Sequence, residues 1–291
     1  MKTLGSFRYQ VPGSMQEIMM LLDDNKTRCR VLAGGTDLLV MLRNGTIQTD
    51  LVVDIKGIQA LHKIQWNESD GMRIGAACTI TQLWNSDLIR KYVPVFLEVI
   101  KTFANMQVRN RATIGGNITR SSPAGDLLPV LLALDAKVRL VSRGSERTLP
   151  LEGFFTGPGQ NIMEANELLA EVIIPPVDRK RAVAVFHKVM RTADDLAKIN
   201  VAVYLEVENG KIQKTRVAVG SVAPIPKRLN KVEAFLQGAD ISEELLDEAT
   251  RYVKEEIAPI SDVRSTKEYR SQITGIFVKR TLQKALRGVK Q

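Results

Sequence analysis

Two glycine pairs, Ala33-Gly34-Gly35-Thr36-Asp37 and Thr113-Ile114-Gly115-Gly116-Asn117, hold the residues of this chain best suited to chemistry. Glycine has no Cβ, so a ligand can approach its backbone closely, and successive bare N–H groups form an anion-binding concavity. The first pair sits in Val31-Leu32-Ala33-Gly34-Gly35-Thr36-Asp37-Leu38-Leu39-Val40, which reads as a short buried strand, a tight turn and a helix start. That order of elements suits a phosphate. The second pair reads as a glycine loop that leads through Ile118-Thr119-Arg120-Ser121-Ser122-Pro123-Ala124-Gly125 to the carboxylate of Asp126. Two such loops point to a diphosphate ligand clasped from two sides. Gly34, Gly35 and Thr36 would supply backbone donors, and Thr36 a hydroxyl. Asp37 would repel a phosphate, so it reads as a helix N-terminal acid or an orienting acceptor. Gly116 would admit close approach, and Asn117 offers both a donor and an acceptor. Asp126 would accept from a sugar hydroxyl, cap the following helix, or do both. The alternative for Gly34 and Gly35 is a tight turn with no ligand.

Other chemistries lack their residues. The two cysteines, Cys29 and Cys78, stand far apart and read as buried free thiols, too few for an iron–sulfur cluster or a structural zinc site. His62 and His187 have no metal-ligand spacing, and His62 reads as an exposed loop residue. Neither a P-loop nor a G-x-G-x-x-G fingerprint occurs. Gly157-Pro158-Gly159 comes nearest and reads as a turn. A net charge of +9 raises the question of nucleic acid, but the basic residues are scattered and aromatics are only 5% of the chain. Base stacking would need more of them. The charge fits a solvated surface, or a basic face for an acidic partner subunit or an anionic nucleotide. No apolar run is long enough to span a bilayer and the start lacks a secretory signal, so a cytoplasmic protein is expected.

The ordered set of motifs resembles the FAD-binding (medium) subunit of the molybdenum hydroxylases, the group of the xanthine dehydrogenase and carbon monoxide dehydrogenase flavoproteins. It comprises the two glycine pairs, Gln107-Val108-Arg109-Asn110, Pro123-Ala124-Gly125-Asp126, Leu131-Leu132-Ala133-Leu134-Asp135-Ala136 and Ser265-Thr266-Lys267-Glu268-Tyr269-Arg270. The resemblance covers nearly the whole chain and implies a PCMH-type fold that binds FAD. It implies cofactor contacts from Leu32, Ala33, Gly34, Gly35, Thr36, Asp37 and Leu38, from Ala112, Thr113, Gly116, Asn117 and Thr119, and from Asp126. It also implies an aromatic beside the flavin, matched by Phe103 with Ala104, and apolar lining from Leu168 and Leu169. One departure stands out: Phe186-His187-Lys188 occurs where Phe-Lys is expected, so either His187 or Lys188 would make that contact. The implied assembly is a heterotrimer with a small [2Fe-2S] subunit and a large molybdopterin subunit. Electrons would pass through the clusters to this FAD and on to NAD or another acceptor. No catalytic acid or base and no metal ligand is then required of this chain, and the substrate would be selected elsewhere. A self-contained flavin oxidoreductase and a non-catalytic FAD-binding assembly module are the competing readings.

The elements that must position these residues can be read from patterning. The expected class is α+β: a two-part α/β FAD-binding unit (1–59 and 60–178), then a C-terminal three-stranded antiparallel sheet with a helical bundle (179–291). Ser14-Met15-Gln16-Glu17 is a capping box before an apolar stripe of Ile18, Leu21 and Leu22. Strands are expected over 30–33 and 51–55, in parallel, around a helix over 38–42. A strand over 72–76, a second capping box at Thr79-Ile80-Thr81-Gln82, helices over 95–104 and 126–136, and strands over 137–141 and 167–174 follow. Past Pro175-Pro176, strands over 182–190, 202–207 and 215–222 include an Asn209-Gly210 hairpin. Helices over 228–237, 242–256 and 267–286 complete the chain.

Overall fold

The structure, a computed structural model, describes residues 5–289. Three sheets organise it, and the first is the expected β-α-β unit. Ser14 accepts from the Glu17 N–H (3.2 Å) and starts the helix Met15–Asn25, which buries Ile18 and Leu22. The strand Cys29–Leu32, the helix Leu38–Asn44 and the strand Leu51–Asp54 follow, the strands parallel with Cys29 opposite Leu51 and Leu32 opposite Asp54. A third strand, Arg8–Gln10, joins the far side of Leu51–Asp54, also in parallel. Its exposed Arg-Tyr-Gln carries no apolar alternation, so patterning could not reveal it.

The second sheet is antiparallel, in the order Ile64–Asn67, Gly71–Gly75, Leu168–Ile174, Lys137–Ser142, Ser145–Pro150. Met72, Ile74, Val138, Leu140, Leu169 and Val172 face a layer of short helices. Val141, Leu168 and Ala170 turn the other way, onto Ile18, Leu22, Leu51 and Val53 of the first unit. The second capping box forms as read, with Thr79 and Gln82 satisfying each other's backbone at the start of Ile80–Asn85. The helix expected over 95–104 is shorter, Val95–Lys101, and the chain turns through Phe103 to Ala104 at φ 38°. The helix Leu127–Ala133 is buried on every side, which is why its sequence is apolar throughout.

The third sheet is antiparallel in chain order: Ala182–Val189, Ile199–Glu208, Lys211–Gly220 and Lys227–Arg228. Asn209 and Gly210 both take positive φ (52° and 77°), as a tight hairpin of this twist requires. The three expected strands are present, and the two-residue fourth pairs at their edge. Val185, Val201, Val203, Val217 and Val219 face the helices Asn230–Leu236, Glu243–Glu256 and Lys267–Val289. Phe186, Ala202, Tyr204 and Ala218 face the second unit. No described helix is long and apolar enough to cross a membrane.

Candidate cofactor-binding cleft

The first glycine motif has the expected geometry. After Leu32 the chain turns through Gly35 at φ 78°, a conformation L side chains adopt only with strain, and Leu38 begins the helix. Leu39 N–H closes on Gly35 O (3.2 Å) and Met41 N–H on Asp37 O (2.9 Å). The N–H groups from Gly34 to Leu38 find no acceptor among the described residues. Five successive donors are thus left for a ligand or water.

The second motif departs from expectation. It is a helix, Ile114–Arg120, rather than a loop, and the N–H groups of Ile114 to Asn117 are already used. Thr113 is the N-cap and its hydroxyl accepts from Gly116 N–H (3.0 Å). Ile114 N–H donates to Cys78 O (3.0 Å), Gly115 N–H to Ala76 O (2.9 Å) and Asn117 N–H to Thr113 O (2.9 Å). Gly115 is small because a Cβ would stand 2.6 Å from Ala76 Cβ. The motif therefore offers a side chain in place of a nest. Asn117 Oδ1 is buried with no partner among the described residues. The Thr119 hydroxyl donates back to Gly115 O (2.9 Å).

The two motifs touch. A Cβ on Gly34 would overlap the Arg111 carbonyl oxygen and lie 3.0 Å from Ala112 Cα. At the rim, Arg120 Nε donates to Asp37 Oδ1 (3.3 Å) across the same junction. Asp37 stands at the N-cap position of Leu38–Asn44 without a side-chain cap bond, and its carboxylate accepts from Arg120 instead. Arg120 was absent from the candidate set, and the opposite charges flanking two phosphate-type turns were the signal for it. Phe103 is buried in the core of the second unit, the same cluster that holds Ala112 and Ile114. Leu168 and Leu169 are adjacent on one strand, Leu169 in the core of the second unit and Leu168 in the core shared with the first.

Asp126 corrects the capping expectation. It precedes Leu127–Ala133 with helical backbone angles (φ −68°, ψ −34°) and makes no cap bond. Its side chain is buried, accepting from Lys188 Nζ (2.7 Å) on Oδ2 and from Asn200 Nδ2 (3.3 Å) on Oδ1. Burial pushes its carboxyl up from the ordinary range, against the pull of Lys188 and Asn200. Lys188 Nζ also donates to Thr102 O (2.7 Å), next to Phe103. His187, its neighbour on the strand, points to the opposite face. Its Nδ1 lies 2.9 Å from Thr281 Oγ1 and its ring meets Phe277 edge-on. Burial, then the Lys284 charge, lowers its pKa. Of the two candidates, Lys188 is the one directed toward the cleft-forming unit.

His62 is half-buried, against expectation, with Nε2 2.9 Å from Lys56 O and Nδ1 buried without a partner among the described residues. Both thiols are buried and free, and burial pushes Cys78 up to about 12 and Cys29 to about 11. The described residues contain no group of three His, Cys, Asp or Glu able to hold a metal. A groove of about 450 Å³ between Met15, Met19, Leu61, Arg139 and Val141 shares no residue with the cleft.

The chain matches known proteins along almost its whole length. The family model described as the FAD binding domain in molybdopterin dehydrogenase matches residues 5–177. The CO dehydrogenase flavoprotein C-terminal domain matches residues 184–285. The chain is 32% identical over 279 residues to a putative xanthine dehydrogenase FAD-binding subunit of Escherichia coli K12, covering 96% of this chain and 95% of that one. It is 30% identical over 279 residues to the carbon monoxide dehydrogenase medium chain of Hydrogenophaga pseudoflava, covering 96% of each. A solved carbon monoxide dehydrogenase chain from Hydrogenophaga pseudoflava superposes with a TM-score of 0.95 at 30% identity, over 98% of this chain and 99% of that one.

Proposed function

The chain belongs to the FAD-binding medium subunits of the xanthine dehydrogenase and carbon monoxide dehydrogenase family, and from that premise we propose that it is the flavin relay of a molybdenum hydroxylase complex. It binds FAD. In this reading it receives electrons from iron–sulfur clusters of a small partner subunit and delivers them to NAD or another acceptor, while a large molybdopterin subunit oxidises the substrate. The observation that carries it is the run of five N–H groups from Gly34 to Leu38 without an acceptor among the described residues, with Gly34 packed directly against Arg111 and Ala112 beside the second motif.

When bound, FAD supplies the redox chemistry, and the protein supplies binding and orientation. The Gly34–Leu38 donors would hold the pyrophosphate, with the Thr36 hydroxyl beside them. The unpartnered Asn117 Oδ1 would accept from the cofactor, relieving a buried orphan acceptor. Phe103 would supply an apolar surface at the flavin end. The Asp37–Arg120 pair would hold the two motifs together at the rim, and Lys188 would support the wall through Thr102 O. No residue here need act as acid or base on the substrate.

The relatives' names include FAD-binding or medium subunits of xanthine, carbon monoxide, nicotine and nicotinate enzymes and the beta subunit of a caffeine dehydrogenase. Substrate choice on another chain accounts for that breadth. The test compares the isolated, FAD-loaded chain with the complex reconstituted from the iron–sulfur and molybdopterin subunits, with iron, molybdenum and flavin quantified. Purine, aldehyde, N-heterocycle or carbon monoxide oxidation should appear only in the complex. Turnover by the isolated, metal-free chain would overturn the relay and favour a self-contained flavoenzyme. A chain that takes up no FAD would leave only an assembly role.

A further inference from the structure

Arg109, of the Gln107-Val108-Arg109-Asn110 motif, has no part in the cleft as described so far, yet its position is unusual. Its Nη1 donates to three main-chain carbonyls of one turn: Ile100 O (3.3 Å), Phe103 O (3.1 Å) and Ala104 O (3.1 Å). Lys188 Nζ takes the remaining inward carbonyl, Thr102 O (2.7 Å). Two cations on different units thus gather four carbonyls on the inner side of one turn. At its apex Ala104 sits at φ 38°, a conformation that costs a non-glycine residue and persists only where its surroundings enforce it. Ala104 N–H has no acceptor among the described residues.

A surface arginine would not account for this. Arg109 ends the helix Met106–Arg109, whose Asn105 side chain caps it by accepting from Val108 N–H (2.9 Å). The helix therefore fixes the guanidinium back over the turn that precedes it. On the far side of the motif, Thr81 Oγ1 donates to Asn110 Oδ1 (2.6 Å) and ties the same segment to the helix Ile80–Asn85. A planar guanidinium directs its donors rigidly where an ammonium does not.

We infer that Arg109 is a positioning residue for the flavin: by clamping carbonyls 100, 103 and 104 it holds Phe103 and the strained Ala104 in the shape that the flavin ring meets. This rests on the reading of Phe103 and Ala104 as the flavin end of the cleft. The inference assigns a role to Arg109 that neither phosphate binding nor general folding supplies. Loss of the clamp lets Ala104 relax out of positive φ and moves the ring of Phe103.

The experiment loads the whole chain with FAD and compares the parent with R109M, R109K and F103A. Each is read by the visible spectrum of bound flavin, its midpoint potential, FAD affinity and thermal unfolding. R109M should retain FAD with an affinity lower by about tenfold, the equivalent of one charge-assisted hydrogen bond. It should also shift the flavin bands and the potential. R109K should fall between R109M and the parent in both, which a general loss of stability would not produce. The inference is overturned if R109M unfolds earlier but keeps the parent spectrum and potential, since Arg109 then only braces the fold. If R109M does not fold, R109M combined with A104G decides: glycine accepts positive φ freely, so recovery of folding with a parent-like flavin supports the clamp, and a double variant that still does not fold overturns the inference. F103A separates the two levels. An unchanged flavin in F103A shows that the turn lies away from the ring, and the underlying reading fails. A shifted F103A with an unshifted R109M sinks the role of Arg109 alone.

Discussion

At the scale of single residues, the glycines of the first motif do different jobs. Gly35 supplies a positive φ, and Gly34 supplies absence, since its missing Cβ is where the Arg111 carbonyl sits. G34A should therefore force the two motifs apart, at an overpacking cost of about 1–3 kcal/mol, and weaken FAD binding by about 10- to 100-fold. Gly45 is the control. It ends the same helix at φ 70° with open space at its Cβ position, so G45A should cost about 1–2 kcal/mol of stability through its backbone and leave FAD affinity unchanged. Calorimetric FAD titration beside urea unfolding measures both, and equal affinity losses in the two would reduce Gly34 to a turn former. The sequence showed where the glycines lay but not which way each missing Cβ pointed. For Gly34 the answer is a residue 77 positions away, and nothing local encodes it.

At the scale of elements, patterning succeeded where a local rule decides the outcome. The capping box at Thr79 and Gln82, the Asn209-Gly210 hairpin and the parallel pairing around Leu38–Asn44 all follow from short-range chemistry. It failed at the second glycine pair, where a loop was expected, because the distant carbonyls of Ala76 and Cys78 take the N–H groups of Gly115 and Ile114 and, with the local Thr113 cap, turn the glycines into a helix start. It also missed Ser145–Pro150, an exposed polar edge strand without alternation. The segment leading into Lys267–Val289 shows the same long-range logic. Asp262 Oδ1 accepts from the buried Arg270 Nη2 (2.7 Å), and its other oxygen accepts from Arg264. Burial alone would raise the Asp262 carboxyl, but the hydrogen bonds from Arg264 and Arg270 outweigh it and hold the group well below the ordinary range. A carboxyl depressed in the folded state adds stability above its unfolded pKa and loses it as pH falls through the folded value. D262N should thus destabilise the chain by about 3 kcal/mol at neutral pH, by stranding Arg270, and the gap to the parent should close in strong acid. Denaturant unfolding at pH 7, 4 and 2 checks this, and a gap that stays constant with pH would remove Asp262 as its source.

At the scale of the whole molecule, charged pairs join the second and third sheets. Lys188 meets Asp126, Lys284 Nζ meets Glu98 Oε2 (2.8 Å), and Arg216 Nη2 meets Asp135 Oδ2 (2.7 Å). Ser221 N–H donates to Pro123 O (2.7 Å) along the same seam. These contacts were not legible beforehand, because charged residues read as solvated until a partner far along the chain is known. The Lys188–Asp126 pair is the buried one, and removing half of it leaves a carboxylate stranded. K188M should cost about 3–5 kcal/mol at neutral pH. The folded state then favours protonated Asp126, with its pKa raised further, so stability should be best near pH 4 and fall as pH rises through the folded value. K188M with D126N should recover most of the loss and flatten the profile. Urea midpoints at pH 5 and 8 decide the matter: a K188M penalty independent of pH would exclude a stranded carboxylate.

The strand order of the middle sheet also bears on how the chain leaves the ribosome. Gly71–Gly75 and Lys137–Ser142 never touch each other, because Leu168–Ile174 lies between them and pairs with both. At a synthesis rate of about 5–20 residues per second, about 5–20 s separate the emergence of the first strand from that of the third. Through that interval first one and then, once Lys137–Ser142 is out, two hydrogen-bonding edges and the apolar faces beside them stay bare, a state that invites pairing with other chains. The last strand of the unit is therefore the keystone of its biogenesis, and nascent chains released before residue 174 should be chaperone clients rather than small folded proteins.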